Sequence, residues 1–374
     1  KMKTIIIFLF CYIYLVLSEN IINKDVVRTI DATNSVVKIL TEIRAINLKG
    51  SYDLIYHDLQ ASHLSYLSVT LKGKPGIELK VNSPVTNGNY STFTIPIQDN
   101  EAYFRIKAVF TNILDPYPKE IYQADPQLVL LKESHVLYTP YFTETQKTTF
   151  KLASSLVESY TKRTPNALKG SSLVYGSYKD IPPFEYSPVT IHFGNNKPFA
   201  KFTSVNREVE VSHWGNVAFE EVFELQHAGA KLKGGFSRFD YMMKRQVQSP
   251  SYRNLIATLP VQAHDIYYRD QIGNISTSDI RKNNDNGEDY LELDIQTRFP
   301  MFGGWQTQFY IGYSLPTESV LFLDENGKYN LKFNFFTIFE DVWVEEMEIK
   351  IVLPEGSTNI AVNVPYTVEQ SNSK

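Results

Sequence analysis

The sequence predicts a mainly β protein built as two tandem β-sandwich-like domains. Apolar and polar residues alternate with a period of two over many short stretches, as expected of strands with one buried face. Aromatic residues make up 13% of the chain, and aromatic rings pack well on pleated sheets. No stretch shows the apolar spacing of a long amphipathic helix, so we expect helices to be few and short.

The clearest predicted strand runs from Val217 to Leu225. Its apolar residues fall on one face, except that Glu221 interrupts that face. Val205 to Val211 alternates in the same way just before it. Comparable alternation predicts further strands in both halves of the chain, at residues 67–71, 93–97, 104–110, 189–193, 291–295, 329–335 and 347–353.

Two stretches are harder to assign. Leu152 to Tyr160 is compatible with a short helix, although its serines weaken that assignment. Gly170 to Pro188 is rich in Gly, Pro, Ser and Tyr and predicts a loop.

The stretch Gly194 to Pro198 reads as a linker between two domains, residues 19–195 and 196–374. The halves also resemble each other at a fixed offset, which aligns Arg28 with Arg207 and Glu42 with Glu221. Either a duplicated sandwich domain or chance alternation of strands explains this match.

The N-terminus predicts a cleaved secretory signal peptide over residues 1–18. Lys1 and Lys3 flank Met2, and the apolar run Ile5–Leu17 is shorter than the ~20 residues that a membrane span needs. An uncleaved anchor is the alternative. The single cysteine, Cys11, lies inside this segment, so disulfides, zinc–cysteine sites and thiol catalysis are excluded for the mature chain.

Composition and motifs favour neither catalysis nor nucleic-acid binding. The net charge is −4 with both signs interspersed, and no basic stripe is present. The sequence lacks the Gly-x-Ser-x-Gly, Gly-x-Gly-x-x-Gly and His-Glu-x-x-His patterns. The stretch Asn283–Gly287 resembles a calcium-binding loop, but Lys282 occupies the position of the loop's first aspartate. We therefore interpret the stretch as a hairpin turn. The seven histidines read as surface or structural residues. We therefore predict no catalytic residue, cofactor or metal, although spacing alone leaves a glycosidase-type carboxylate pair open.

Several sequence motifs resemble those of a known protein family. The segment Glu208–Asn216 (Glu-Val-Glu-Val-Ser-His-Trp-Gly-Asn) resembles the signature of the ribophorin I family, type I membrane subunits of the endoplasmic-reticulum oligosaccharyltransferase. Further segments are similar to the same family, the last two more loosely: Asp265–Ser278, Arg298–Trp305, Lys350–Gly356, Asp115–Pro118, and Tyr138–Tyr141 with Lys151–Ala153.

The resemblance implies a non-catalytic lumenal subunit that supports transfer of oligosaccharide from dolichyl diphosphate to asparagine. Its implied partners are the other subunits, including the catalytic membrane subunit, with nascent polypeptide and the translocon as further candidates. The family also has a transmembrane helix and a cytosolic region that this sequence does not contain. We expect a fragment of a single-pass protein, with a soluble lumenal variant as the alternative.

The resemblance also directs attention to particular residues. Asn274 and Asn89 begin glycosylation sequons, and the family pattern gives Asn274 the greater weight. His213, Trp214, Arg298 and Trp305 are candidates for structural or interface roles. For His213 we expect packing in a shaped turn. For Trp214 and Trp305 we predict core positions, with partner-facing positions as the alternative.

Two rival functions are weighed. The first is an enzyme, because tandem β-domains also form the N-terminal part of zinc aminopeptidases, but the zinc-binding helix is missing from this sequence. The second is a secreted or lumenal adhesion or carbohydrate-binding module unrelated to glycosylation, which the ordered family motifs disfavour.

Overall fold

The computed structural model describes residues 20–72, 78–243, 250–285, 287–364 and 368–370. The predicted signal peptide, residues 1–18, lies outside this described part of the chain. Strands account for 59% of the structure and helices for 4%, which confirms the mainly β fold class. The helices among the described residues are all short: α1 (Asp58–Ala61), α2 (Arg238–Met243) and α3 (Thr317–Val320).

The first half of the chain contains strands β1 to β16. They are β1 (Ile22–Ala32), β2 (Val37–Ile46), β3 (Gly50–His57), β4 (Leu64–Leu71), β5 (Glu78–Leu79), β6 (Val85–Asn87), β7 (Tyr90–Ile97), β8 (Glu101–Phe110), β9 (Leu114–Pro116), β10 (Glu120–Ile121), β11 (Leu128–Ser134), β12 (Phe142–Leu152), β13 (Val157–Tyr160), β14 (Asn166–Lys169), β15 (Ser172–Ile181) and β16 (Pro188–Gly194).

An eight-stranded sheet in the order β14-β15-β12-β1-β2-β8-β4-β5 spans this half. One part of its inner face packs on the four-stranded sheet β13-β16-β11-β9, where Phe150 and Ile191 share a core. Another part packs on the three-stranded sheet β3-β7-β6, where Phe104 and Tyr52 share a second core. Since each sheet buries one face against another, the first half is a pair of sheet-on-sheet sandwiches.

The second half contains strands β17 to β29. They are β17 (Ala200–Val211), β18 (Asn216–His227), β19 (Lys231–Leu232), β20 (Tyr252–Pro260), β21 (His264–Asp270), β22 (Gly273–Asn274), β23 (Asp279–Asp285), β24 (Glu288–Met301), β25 (Gln306–Pro316), β26 (Leu321–Leu323), β27 (Tyr329–Leu331), β28 (Trp343–Val344) and β29 (Met347–Val352).

Its main sheet runs β22-β21-β25-β18-β17-β28, and β29 pairs with β17. The sheet β20-β24-β23 packs against it, so that Phe223 and Phe309 of the main sheet share a core with Leu293 and Ile295. The predicted hairpin turn after Asn283 is confirmed, because β23 and β24 pair antiparallel as far as residues 285 and 288.

The two halves share part of their strand pairing. β1 is antiparallel to β2 and parallel to β12, and β17 is antiparallel to β18 and parallel to β28 and β29. Arg28 and Arg207 lie buried at corresponding points of these first strands. The proposed match of Glu42 with Glu221 is off by one residue, since Arg28 lies opposite Thr41 whereas Arg207 lies opposite Glu221. The division at residues 195/196 stays a prediction.

Two local predictions are wrong, and a third concerns a stretch that proves to be packed. Leu152 to Tyr160 is not a helix: it ends β12 and forms β13. The predicted loop Gly170–Pro188 contains β15, which pairs with β12 despite its Gly and Ser content, because tertiary pairing overrides weak local propensity. The linker stretch is packed: Asn195 is fully buried, and its amide donates to the Asn34 carbonyl at 3.1 Å.

Candidate functional site

A buried ion pair explains the interrupted alternation of β18. Glu221 is fully buried, and its Oε2 accepts a hydrogen bond from Arg207 Nη2 on β17 at 3.0 Å. The same guanidinium donates to the carbonyls of Asn334 at 2.7 Å and Phe336 at 2.6 Å. Burial raises the pKa of the Glu221 carboxyl, and Arg207 opposes that rise. The pair therefore ties the segment 334–336 to the middle of the sheet.

The turn between β17 and β18 presents a tryptophan to solvent. Trp214 is 95% exposed, and its backbone N–H donates to Ser212 Oγ at 3.0 Å. Gly215 has φ +92°, a conformation that favours glycine. His213 is exposed as well. The predicted core position of Trp214 is wrong, because the alternating pattern ends at Val211 and the tip of the hairpin lies beyond the sheet.

Trp305 lies in an aromatic cluster at the other end of β18. Its ring is half-buried and meets Phe302 at 5.2 Å, Phe236 at 5.6 Å and Phe299 at 6.0 Å between centroids. Its carbonyl accepts from the His227 N–H at 3.0 Å. It packs on the edge of the core, so the predicted core position describes it in part, and the partner-facing alternative stays a prediction.

Arg298 fixes the turn after β21. Its Nε and Nη2 donate to the two carboxylate oxygens of Asp270 at 2.5 and 2.7 Å, a bidentate pair. Asp270 Oδ1 also accepts from the backbone N–H groups of Ile272 at 3.0 Å and Gly273 at 3.1 Å. The Arg298 bonds and these amides lower the pKa of Asp270. The arrangement orders the turn that leads to Asn274. Both sequon asparagines, Asn274 and Asn89, are exposed.

The outer face of the main sheet carries a polar and aromatic depression. It holds about 350 Å³ and is lined by Glu220, Val222, Arg269, Gln308 and Tyr310. These side chains come from three adjacent strands, β18, β25 and β21. The sequence motif Asp265–Ser278 supplies only Arg269, so the depression could not be read from any one motif.

Tyr267 lies beside this depression and contacts two of its lining residues, Glu220 and Arg269. A Cβ at Gly312 would overlap its ring, so the glycine lets the ring lie flat on β25. The Tyr267 hydroxyl donates to Glu220 Oε2 at 2.5 Å, and the Arg269 guanidinium lies 4.5 Å from the Tyr267 ring centroid. The second tyrosine, Tyr310, lies 5.0 Å from the same guanidinium. The geometry suits recognition of a polar molecule with flat apolar faces.

His227 lies buried where the two halves of the chain meet. Its Nδ1 accepts from the Gly229 N–H at 3.0 Å, so the proton is on Nε2, which donates to the Pro250 carbonyl at 3.0 Å. Nearby, the Ala230 N–H donates to Gln127 Oε1 at 2.7 Å. Burial lowers the pKa of His227 to about 4. The structural reading of the histidines fits His227, but sequence reasoning did not single out Gln127, because its partner Ala230 is more than 100 residues away in the chain.

The buried His227 predicts a stability loss in mild acid. Its pKa falls from 6.5 to about 4 on folding, so the unfolded chain binds the extra proton first as pH decreases. We expect the free energy of unfolding to drop by about 3 kcal/mol between pH 6.5 and 4 through this one group. Urea unfolding across this pH range tests it against His227→Gln, which should show a flatter profile. Parallel profiles would contradict it.

The predicted site residues do not form one site. Trp214 and Trp305 adjoin opposite ends of β18, which at ~3.4 Å per residue places them more than 30 Å apart. Within the described ranges, no three His, Cys, Asp or Glu side chains are grouped to hold a metal. In the same part of the chain no helix has the length and apolar character to cross a bilayer.

Together, the packed sheets define a mainly β protein of sandwich type. The chain belongs to the ribophorin I family: the family model described as Ribophorin I matches residues 21–374. This confirms the resemblance carried by the sequence motifs.

Curated relatives agree. The chain is 38% identical to "Dolichyl-diphosphooligosaccharide--protein glycosyltransferase subunit 1A" of Arabidopsis thaliana, in a match that covers 94% of this chain. It is also 38% identical to subunit 1 of the same name from Caenorhabditis elegans, in a match that covers 92% of this chain. It spans 60% of the length of each relative. Among solved structures, leukotriene A4 hydrolase from Saccharomyces cerevisiae matches 51% of this chain and 32% of its own at 12% identity with a TM-score of 0.31, too low to support a conclusion.

Proposed function

We propose that this chain is a non-catalytic subunit of the oligosaccharyltransferase complex, acting on the lumenal side of the endoplasmic-reticulum membrane. The observation that carries the proposal is the family match over residues 21–374, together with relatives named as subunit 1 of the dolichyl-diphosphooligosaccharide–protein glycosyltransferase. In this role the chain supports transfer of oligosaccharide to Asn-x-Ser/Thr of nascent proteins, and another subunit carries the active site.

The surface features support a docking role. Trp214 presents nearly its whole ring to solvent, and tryptophan is enriched among residues that dominate binding energy at interfaces. At the other end of β18, Phe239, Met242 and Met243 are 67–72% exposed. Clusters of exposed apolar side chains on protein surfaces often mark sites of contact with other proteins. The partners we propose are other subunits of the complex, including the catalytic membrane subunit, with nascent polypeptide and the translocon as further candidates.

Conditional depletion of the chain in its own cells tests the function. We expect reporter glycoproteins to lose glycans at Asn-x-Ser/Thr sites, and re-expression of the wild-type chain to restore them. Reporters that stay fully glycosylated without the chain would overturn the proposal. Free secretion of the chain, with none recovered in the complex, would instead favour the adhesion-module alternative.

Trp214→Ala is expected to weaken assembly without unfolding the protein. The side chain is 95% exposed, so its removal leaves no cavity, while loss of a central aromatic contact costs about 2 kcal/mol or more of binding energy. Recovery of the catalytic subunit with the tagged chain should fall at least severalfold. Tyr329→Ala, at a residue 71% exposed on β27, is the matched control and should assemble normally. Equal recovery with both variants would remove Trp214 from the interface.

A further inference from the structure

Four residues form a row across the outer face of the main sheet. Asn274 on β22 lies directly opposite Arg269 on β21, Arg269 lies opposite Tyr310 on β25, and Tyr310 lies opposite Val222 on β18. Opposed residues of neighbouring strands share a face of the sheet. The first residue of the row belongs to the sequon Asn274-Ile-Ser276, and the other three line the depression.

The spacing along this row is short. Neighbouring strands lie about 4.8 Å apart, so Tyr310 is about 10 Å and Val222 about 14 Å from Asn274. Two sugar units can cover that span. Arg298 and Asp270 hold the β21–β22 turn in a fixed geometry beside the depression. Anything attached to the Asn274 amide therefore starts at the rim of the depression.

We propose that the depression holds the first sugars of an N-linked glycan carried by Asn274. The sugars that begin such a glycan are N-acetylglucosamines, which have apolar ring faces and a polar rim of hydroxyl and acetamido groups. The depression matches both: Tyr310 and Val222 offer apolar surface, while Arg269, Gln308 and Glu220 offer hydrogen-bond donors and acceptors.

The side-chain chemistry favours a neutral sugar over a charged ligand. Arg269 and Glu220 line the same depression, so their opposite charges disfavour a strongly anionic or cationic group. Arg269 Nε is buried without a hydrogen-bond partner in the described structure, and the guanidinium is set between the Tyr267 and Tyr310 rings. A covalent tether to Asn274 makes even weak contacts effective, because binding becomes intramolecular. This proposal requires that the chain enters a compartment where proteins are glycosylated. It does not require that the chain is a subunit of the oligosaccharyltransferase complex.

The test uses the full chain expressed in cells that glycosylate. Asn89→Gln removes the other sequon, and mass spectrometry then reports occupancy of Asn274. Peptide-N-glycosidase F cuts at the first sugar, so its rate on the native protein measures how well that sugar is covered. We expect Tyr310→Ala and Arg269→Met in the Asn89→Gln background to raise this rate about tenfold, as loss of one good contact predicts.

Matched variants keep the result interpretable. Tyr310→Phe preserves the ring and should retain the slow rate, and Tyr329→Ala removes an exposed tyrosine outside the depression and should do the same. If Tyr310→Ala fails to fold, Arg269→Met carries the test. Absence of glycan on Asn274 would overturn the proposal. Release from both variants at the rate of the Asn89→Gln parent would overturn it equally.

Discussion

Replacing Arg207 with Leu is expected to lower the free energy of unfolding by about 3 to 5 kcal/mol. The substitution leaves Glu221, which has no exposed surface, without its counter-charge in the sheet interior. It also removes the donors that reach the Asn334 and Phe336 carbonyls, so the segment 334–336 loses its attachment to the sheet. Urea unfolding followed by tryptophan fluorescence measures the change.

Two further variants separate the ion pair from the charge alone. Arg207→Leu with Glu221→Leu should recover much of the lost stability, because no buried charge remains unpaired. Arg105→Leu removes one of the partners of Glu42 on the surface, where Arg105 is 45% exposed and Lys72 still pairs with Glu42, and should cost at most about 1 kcal/mol. If Arg207→Leu is no worse than Arg105→Leu, the pair does not hold the sheet as described.

Gly303→Ala is expected to cost about 3 kcal/mol, at the upper end for an overpacked site. A Cβ at this position would overlap the carbonyl oxygen of Ala230, which is backbone and cannot rotate away. Moving Ala230 disturbs its bond to Gln127 and the adjacent Lys231 N–H bond to the Lys119 carbonyl. These bonds join the two halves of the chain, so we expect the junction to loosen.

Gly235 provides the matched control for this substitution. It lies near the same junction, but a Cβ there would meet no atom within 4 Å. Gly235→Ala should therefore keep the wild-type thermal midpoint, while Gly303→Ala should lower it by several degrees. Limited proteolysis should cut Gly303→Ala faster between the halves. Equal midpoints for the two variants would show that the backbone accommodates the added methyl group.

Much of the strand content could be predicted from the sequence because it rests on local alternation. β18 buries every second residue from Val217 to His227, and β17 does so from Val205 to Val211, so a period of two is visible there without knowledge of partners. β15 could not be predicted in this way. Its Gly176 and Ser177 read as loop residues, and only pairing with β12 and β14 makes the stretch a strand.

The site residues were predicted less well, because their roles depend on register and on position along strands. Glu221 reads as a flaw in a buried face until cross-strand pairing places Arg207 opposite it. Trp214 reads as a core residue by type, yet the tip of a hairpin exposes it. The depression joins Glu220, Arg269 and Tyr310 from strands far apart in the sequence, so its chemistry appears only after folding.

The most direct test is to purify the native complex from membranes through a tag on this chain and assay transfer of oligosaccharide to an acceptor peptide. We predict that the preparation contains the catalytic subunit in equal amount and transfers the glycan, and that the chain separated from it is inactive. Transfer by the separated chain, or a preparation without the catalytic subunit, would contradict a docking role in this complex.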